Sequence, residues 1–153
     1  MPTTAIRAVD VYPYRHVDDG PPEFLLLRRA ADVPYAEQWR MVGGKIQAEE
    51  TAWAAAYREL KEETGQAPIH FWALPSTNQF YEWQHDRVTV APAFGAEITN
   101  DPVLNHEHNA FTWLPVPEAA ERLAWPEQQR LVQLAAQVLR FGIPPSLVIS
   151  DAP

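Results

Sequence analysis

The sequence predicts a single α/β domain, because strand-like and helix-like segments alternate along its 153 residues. Hydrophobic residues make up 46% of the chain, and six Trp, six Phe and five Tyr are among them. This apolar content is sufficient for one core and argues against disorder. No repeat, low-complexity stretch or linker divides the sequence, so we expect one domain covering residues 1–153.

Strands are predicted where short apolar runs rich in β-branched or aromatic residues lie between turn-forming residues. In chain order, these runs are Thr3–Tyr14, Glu23–Arg29, Trp39–Ile46, Ile69–Leu74, Gln79–Trp83, Arg87–Ile98 and Ala110–Leu114. The short segment Gln84–Asp86 between two of these runs is suited to a hairpin connection. Fifteen prolines punctuate the loops.

Helices are predicted where apolar residues recur at helical spacing. In the segment Thr51–Thr64, the residues Trp53, Tyr57 and Leu60 form an apolar stripe suited to packing on a sheet. Gly65 follows, and glycine favours the left-handed conformation that ends many helices. Two further helices are expected, and they cover Pro117–Trp125 and Pro126–Phe141.

Composition excludes several classes of function. The formal net charge of −8 argues against binding to polymeric nucleic acid, which requires a basic surface. A small polyanion is still compatible, since bound divalent cations invert the local field. The absence of Cys excludes disulfides, thiolate catalysis and zinc–thiolate sites. Without a signal-like segment or an apolar run of about 18 residues, we expect a soluble cytoplasmic protein with no membrane partner.

Three carboxylates crowd one face of the first helix. At roughly 100° per residue, Glu63 lies about 40° to one side of Glu59 and Glu62 lies about 60° to the other. Like charges at this spacing are unfavourable without a compensating cation. Oxygen-only ligands suit Mg²⁺ or Mn²⁺, which also accept substrate phosphates as ligands. The segment therefore predicts a metal and phosphate site, although a solvated surface helix is the alternative for a charged run.

The spacing of residues around this cluster is more specific than the three acids alone. It resembles the motif of the Nudix hydrolases, and the matching positions are Gly44, Glu50, Arg58, Glu59, Leu60, Glu62, Glu63 and Gly65. Three positions depart from the family pattern. Gln66 stands where an aliphatic residue is usual, Val42 where Pro often precedes the Gly-Gly pair, and Glu49 where Gly often precedes the first Glu. The departures at Val42 and Glu49 concern the loop that leads into the helix and leave the metal chemistry unchanged.

The resemblance implies a fold, a cofactor and roles for individual residues. The fold is an α/β/α sandwich with a mixed sheet between helices, and the cofactor is Mg²⁺ or Mn²⁺. The implied metal ligands are Glu59, Glu62, Glu63 and the backbone carbonyl of Gly44. The same three glutamates are the implied catalytic residues, and which of them takes the proton from water is left open. Arg58 is expected to pair with acids such as Glu50 and to orient the loop.

Further residues are candidates for binding substrate. Many family members place an extra acid over the metal, and Glu107 in His106-Glu107-His108 is the candidate here; an ordinary loop acid is the alternative. Zinc binding by this His-x-His pair is disfavoured because no third ligand is in register. Basic side chains near the motif are expected to contact phosphates or to lie on the surface, and they are Arg28, Arg29, Arg40 and Lys45.

Four aromatic residues are candidates for stacking on a base or pterin, but strand aromatics more often belong to a core, which is the favoured interpretation. They are Trp39, Phe80, Tyr81 and Trp83.

The substrate class is predicted by a looser likeness. The segments YAEQWRMVGGKI and HEHNAFTWLPVPEAAERLAWPEQ look like the branch that includes dihydroneopterin triphosphate and dATP pyrophosphohydrolases. A nucleoside or pterin triphosphate would then give a monophosphate and pyrophosphate. Tyr81 keeps a diadenosine polyphosphate or another nucleoside diphosphate derivative as an alternative. A non-catalytic nucleotide-binding regulator is a second alternative, although no acid of the motif is lost. Such domains often dimerise, so a homodimer is compatible with the resemblance, and the sequence alone leaves the oligomeric state open.

Overall fold

The computed structural model describes residues 1–152, in which β-strands and α-helices alternate along the chain. The strands are β1 (Thr3–Ala5), β2 (Ala8–Arg15), β3 (Glu23–Arg29), β4 (Trp39–Arg40), β5 (Val42–Lys45), β6 (His70–Glu82), β7 (Arg87–Glu97) and β8 (His108–Leu114). The helices are α1 (Ala52–Thr64), α2 (Val116–Arg122) and α3 (Pro126–Phe141), and a 3₁₀ turn follows at Pro145–Leu147.

The strands form one sheet with both parallel and antiparallel pairs. Strands β1 and β2 run parallel to β7, and β6 pairs with β7 in the antiparallel sense. Strand β2 is antiparallel to β3 and β5, and β3 is antiparallel to β4 and β8. The mixed sheet implied by the family resemblance is therefore confirmed.

Alternation along the central strands separates two cores on opposite faces of the sheet. One core combines α1 with apolar residues of the sheet, and it includes Val9, Val11, Leu25, Leu27, Ala55, Ala56 and Leu60. The other combines α2 and α3 with the alternate residues of the same strands, and it includes Tyr12, Tyr14, Phe24, Leu26, Ala119, Leu123, Leu131 and Ala135. Helices thus cover both faces, which confirms the α/β/α sandwich.

The predicted strands Ile69–Leu74 and Gln79–Trp83 are one strand, β6, so the expected break between them was wrong. The register of β6 against β7 shifts between Ala73 and Thr77, on either side of Pro75. Proline removes a backbone donor, and a sheet tolerates that loss at an irregular position of an outer strand. The hairpin connection between β6 and β7 is confirmed.

Two predicted strands are each divided. Residues 3–14 form β1 and β2, which both pair with β7. Residues 39–46 are divided because the chain changes its pairing partner, from β3 for β4 to β2 for β5. Helix α2 ends at Arg122, earlier than predicted. Trp125 is extended, with φ −106° and ψ 128°, as expected of a residue before proline, and Pro126 starts α3.

The core interpretation was wrong for three of the four strand aromatics. Phe80, Tyr81 and Trp83 are exposed at the far end of β6 and in the hairpin, and Trp83 is 73% exposed. Trp39 is partly buried against the core beneath α2 and α3. Within residues 1–152, no helix has the length and apolar character required to cross a bilayer.

Candidate active site

Helix α1 carries the acidic residues, and local interactions fix both of its ends. The Thr51 hydroxyl accepts a hydrogen bond from the Ala54 N–H at 3.1 Å, and Gly65 closes the helix with φ 75°. Glu59 and Glu63 lie one turn apart on the face that meets the sheet, and they are only 9% and 2% exposed. Burial of two carboxylates on one face is unusual and requires compensation.

Strand β5 provides the surface on which these two carboxylates rest. The Gly43 N–H donates a hydrogen bond to Glu63 Oε2 at 3.0 Å. A Cβ atom added to Gly44 would lie 2.1 Å from Glu59 Oε1, which is far inside van der Waals contact. Glycine is therefore required at position 44 because helix α1 brings the Glu59 carboxylate against the strand backbone.

Arg58 ties the loop before α1 to the helix. Its Nε and Nη2 atoms donate to both oxygens of Glu50, at 2.8 and 2.9 Å, and Nη2 also donates to the Lys45 carbonyl at 2.9 Å. Its Nη1 atom donates to Glu59 Oε1 at 2.9 Å. The pairing with Glu50 was predicted and is present. These bonds with Arg58 lower the pKa of Glu50 to about 2.

Glu62 differs from the two other glutamates of the cluster. Its side chain is 52% exposed, and Oε1 accepts a hydrogen bond from Arg58 Nη1 at 3.3 Å. Glu62 does not line the cleft in which Glu59 and Glu63 lie. The predicted group of three acids is thus arranged as a buried pair and an exposed neighbour.

The turn before β8 brings a further acid and a histidine to the buried pair. One ligand atom from each of Glu63, Glu107 and His108 lies within 4.8 Å of the others. His108 Nε2 is 3.4 Å from Glu63 Oε1, and both side chains are almost fully buried. Burial, followed by the charges of Arg29 and Arg40, lowers the pKa of His108 to about 4. His108 is therefore neutral at pH 7 and does not form an ion pair with Glu63.

The electrostatics of the buried pair favour a cation. Burial raises the pKa of Glu63 well above its ordinary value, and the nearby charges of Glu59 and Glu107 raise it further. Burial also raises the pKa of Glu59, against the lowering effect of Arg58. The folded chain holds carboxylates close together in surroundings that penalise their charge.

These residues form the floor of a cleft of about 660 Å³. Five basic side chains line its walls, and they are Arg7, Arg29, Arg40, Lys45 and Arg87, the last paired with Glu82 of the same cleft at 2.6 Å. Arg29 approaches Glu107, with 3.9 Å between Nη1 and Oε2, and its Nε donates to the Pro34 carbonyl at 3.0 Å. The walls can bind a polyanion while the floor presents carboxylates, so the cleft can hold a cation between its own acids and a ligand's phosphates.

The structure brings together most of the predicted substrate-binding residues but leaves two outside the cleft. Arg29, Arg40, Lys45 and Glu107 all line it. Arg28 donates instead to Asn109 Oδ1 at 2.9 Å and lies 5.8 Å from the Trp39 ring centroid. Trp39 also contacts the guanidinium of Arg122 at 5.4 Å. Consecutive strand residues face opposite sides of a sheet, so Arg28 and Arg29 do not reach the same site.

Several cleft residues were not identified from the sequence. Asp10 lies within β2, where it is buried and accepts hydrogen bonds from Asn78 Nδ2 at 2.8 Å and Tyr12 Oη at 3.4 Å. Burial raises its pKa. The one available signal was an acidic residue inside a strand that is otherwise apolar. Other cleft residues come from distant segments, and they include Arg7, Glu82, Arg87, Thr89, His108 and Gln128.

The chain is an α/β/α sandwich whose cleft has carboxylates at its floor and basic side chains along its walls. These features define a class of proteins suited to binding metal ions and phosphates. Comparison with protein families assigns the class: the NUDIX domain model matches residues 5–135. The chain therefore belongs to the Nudix family, and the resemblance based on the motif is confirmed.

Curated relatives match parts of the chain. An octanoyltransferase of Myxococcus xanthus is 35% identical over 106 residues, which are 63% of this chain and 28% of that protein. The 8-oxo-dGTP diphosphatase of Escherichia coli K12 is 47% identical over 49 residues, which are 32% of this chain and 38% of that protein. The chain thus spans less than two fifths of the length of these two relatives.

Solved structures share the fold over nearly the whole chain. The Ap4A hydrolase of Caenorhabditis elegans in a binary complex has a TM-score of 0.72 and 22% identity, covering 93% of this chain and 100% of that one. The dihydroneopterin triphosphate pyrophosphohydrolase of E. coli has a TM-score of 0.65 and 23% identity, covering 82% of this chain and 92% of that one. At these identities the similarity establishes the fold alone.

Proposed function

We propose that this protein is a metal-dependent pyrophosphohydrolase that cleaves a phosphoric anhydride bond in a nucleoside or pterin polyphosphate. One observation carries the proposal: the buried carboxylates of Glu59 and Glu63 lie at the floor of a cleft walled by five basic side chains. Family membership and the similarity to the 8-oxo-dGTP diphosphatase support it.

The donor set fits Mg²⁺ or Mn²⁺. The proposed ligands are oxygen atoms of Glu59, Glu62 and Glu63 with the Gly44 carbonyl, as hard cations prefer. Glu63 is 2% exposed and lies beside a neutral His108, so its charge lacks a cationic side-chain partner at hydrogen-bonding distance among residues 1–152. A cation held there would supply charge stabilisation for the phosphates and would lower the pKa of an attacking water.

The chain's own residues would bind the phosphates and accept a proton. The basic side chains Arg29, Arg40 and Lys45 are placed to pair with phosphate oxygens along the cleft walls. One of the carboxylates in or beside the cleft takes the proton from the attacking water, and the candidates are Glu107 and the three glutamates of α1. Arg58 acts indirectly, since it positions Glu59 and the loop that carries Lys45.

The proposed substrate is a nucleoside triphosphate or dihydroneopterin triphosphate, cleaved between the α and β phosphates. A monophosphate and pyrophosphate are the expected products. The diadenosine polyphosphate alternative depended on Tyr81, which is exposed and donates its hydroxyl to Asp86 at 2.7 Å, outside the cleft lining. We also propose that the protein acts in the cytoplasm and forms a homodimer.

A hydrolysis screen with product identification tests the proposed function. Purified protein would be incubated with nucleoside triphosphates, dihydroneopterin triphosphate, Ap4A and ADP-ribose, each with Mg²⁺ and with excess chelator. We expect a monophosphate and pyrophosphate with Mg²⁺ and no turnover with chelator. Full turnover in chelator would contradict the metal site. Nucleotide binding by calorimetry without any turnover would instead identify a regulator.

A further inference from the structure

His108 places a nitrogen donor among the oxygen donors at the floor of the cleft. It is the first residue of β8, and the pairing of β8 with β3 brings it next to Glu63 of α1. One ligand atom from each of Glu63, Glu107 and His108 lies within 4.8 Å of the other two. His106, the other member of the His-x-His pair, is exposed and does not belong to this group. The group therefore joins one acid of the motif to two residues outside the motif.

The spacing of two of these donor atoms suits a shared metal ion better than a hydrogen bond. His108 Nε2 lies 3.4 Å from Glu63 Oε1. An N–H···O hydrogen bond usually spans about 2.7–3.2 Å, so this contact is longer than such a bond. Two neighbouring ligands at about 2.0–2.1 Å from one ion, with an angle of about 90–110° between them, are about 2.9–3.4 Å apart. The observed separation lies at the upper end of that range.

The three side chains keep capacity for a ligand. His108 Nδ1 is buried and has no hydrogen-bond partner among residues 1–152, whether or not it carries the ring proton, so no such bond favours the proton on Nε2. Glu63 Oε2 accepts from the Gly43 N–H at 3.0 Å, which leaves Oε1 for another contact. Arg29 Nη1 approaches Glu107 Oε2 to 3.9 Å, beyond hydrogen-bonding distance.

Burial makes the contact between His108 and Glu63 unfavourable without a cation. Each side chain is 2% exposed, so water does not screen the two groups from each other. The imidazole is neutral at pH 7, and neutral imidazole is the form that binds metal ions. A cation between Nε2 and Oε1 would accept a lone pair from each atom and would replace their repulsion by two bonds.

We propose that His108 Nε2, Glu63 Oε1 and the Glu107 carboxylate bind one divalent transition-metal ion, and that the nitrogen ligand makes this position select such an ion over Mg²⁺. Mg²⁺ prefers oxygen ligands, whereas imidazole suits Fe²⁺, Co²⁺, Ni²⁺ and Zn²⁺. This inference rests on the metal site of the proposed function, because the two share Glu63, but it does not require hydrolysis.

Metal titrations of variants test the selectivity. Metal-free protein without a histidine tag would be titrated with Co²⁺ and with Mg²⁺ in a calorimeter. His108→Gln replaces the nitrogen donor by an amide that can offer oxygen. We expect it to weaken Co²⁺ binding at least about tenfold, since loss of even a supporting contact of a metal ligand costs about 10–100-fold. Mg²⁺ binding should change less, and Glu107→Gln should weaken binding of both ions.

Two exposed residues outside the cleft provide matched controls. His85 lies in the turn between β6 and β7, and Glu121 lies on α2. His85→Gln and Glu121→Gln should leave the affinities for both ions unchanged. Equal Co²⁺ affinity in the parent protein and in folded His108→Gln would overturn the inference, because the ring would then have a structural role alone.

A measurement on the parent protein covers the case in which His108→Gln does not fold. Histidine ring nitrogens labelled with ¹⁵N report metal binding directly, since the resonance of a metal-bound nitrogen shifts. We expect one equivalent of Zn²⁺ to shift the Nε2 resonance of His108, and Mg²⁺ to change it far less. A Zn²⁺ effect confined to other histidines would overturn the inference.

The outcomes distinguish this inference from the proposed function. Binding of Co²⁺ that depends on His108, in a protein that hydrolyses no polyphosphate, would refute the proposed hydrolysis and keep the mixed nitrogen and oxygen site. Metal-dependent hydrolysis in a protein whose Co²⁺ and Mg²⁺ affinities are both unaffected by His108→Gln would keep the hydrolase and overturn the role of His108.

Discussion

The acids of the motif form two pairs, and their surroundings differ. Glu59 and Glu63 are buried against the glycine strand β5, where desolvation raises the pKa of both carboxyls. Glu62 is 52% exposed and Glu50 is 15% exposed, and both accept hydrogen bonds from Arg58, which lowers the pKa of Glu50 to about 2. Acids that look equivalent in a sequence motif therefore differ in the folded chain, through burial and through the contacts of Arg58.

The second pair, Glu50 and Glu62, is the outer pair, and it shares the single positive charge of Arg58. Within it, the contact between Arg58 and Glu50 fastens the loop to the helix. The first pair, Glu59 and Glu63, is the inner pair. It keeps an unfavourable concentration of negative charge, which a bound cation would relieve. Arg58 links the two pairs because its Nη1 atom reaches both Glu59 and Glu62.

The largest expected effect is on catalysis by the inner pair. Glu63→Gln and Glu59→Gln keep nearly the same shape and remove one negative charge each. We expect each to lower kcat/KM about 10²-fold or more, as for other groups that act at the transition state. Steady-state hydrolysis of the preferred triphosphate measures this, with Glu121→Gln as control. Near-normal rates in both variants would show that the inner pair is not the catalytic site.

Gly44→Ala tests whether close contact with strand β5 positions the inner pair. An added Cβ would lie 2.1 Å from Glu59 Oε1, so the carboxylate must move. We expect kcat/KM to fall about tenfold or more. The double variant Gly44→Ala with Glu59→Gln provides the control for mechanism. If the glycine acts through Glu59, the two effects will not add, whereas full additivity would indicate an independent role.

Arg58→Ala tests the outer pair. Its removal leaves Glu50 and Glu59 without their partner and frees the Lys45 carbonyl. We expect the free energy of unfolding in chelator to fall by about 1–3 kcal/mol, with a smaller loss of activity than for Glu63→Gln. Urea unfolding measures the first quantity. Arg58→Lys should restore little, because an ammonium group cannot make the two-point contact with Glu50.

The two pairs should give opposite pH dependence to stability without metal. Glu63 has a raised pKa in the folded state, so its contribution is greatest below its ordinary pKa of 4.5 and is lost as pH rises through the folded-state pKa. Glu50 has a lowered pKa, so its contribution is present above 4.5 and is lost as pH falls toward about 2.

Melting temperatures in chelator between pH 3 and 8 test this contrast. Near pH 7, Glu63→Gln should raise the melting temperature relative to the parent protein, since a buried charge is removed. Glu50→Gln should lower it, since a paired charge is lost. The same direction of change in both variants would contradict the contrast between the pairs.

Local patterns in the sequence were sufficient for the helix and the motif. The spacing from Gly44 to Gly65 predicted α1, its left-handed ending and the Arg58–Glu50 contact, all of which involve residues near one another along the chain. Glu49, which stands where the family motif often has Gly, adopts φ 64°, in the region that glycine favours. Such features are encoded within a single turn or loop.

Long-range packing determined what the sequence did not reveal. Which motif acids are buried depends on β5, and the place of His108 beside Glu63 depends on the pairing of β8 with β3. Arg28 and Arg29 appeared equivalent, yet the pleat of β3 directs only Arg29 to the cleft. The exposed aromatics Phe80 and Trp83 were expected in the core because local composition does not show that β6 extends beyond it.

The most direct test of the buried pair is the shift in melting temperature that Mg²⁺ induces. A ligand that binds only the folded state raises its stability by about 1.4 kcal/mol at ten times its dissociation constant, or a few degrees for a chain of this size. We expect this shift in the parent protein and in Glu121→Gln. In Glu63→Gln the shift should be abolished, while the melting temperature in chelator stays equal or rises. A full Mg²⁺-induced shift in Glu63→Gln, together with near-normal turnover, would contradict the central claim.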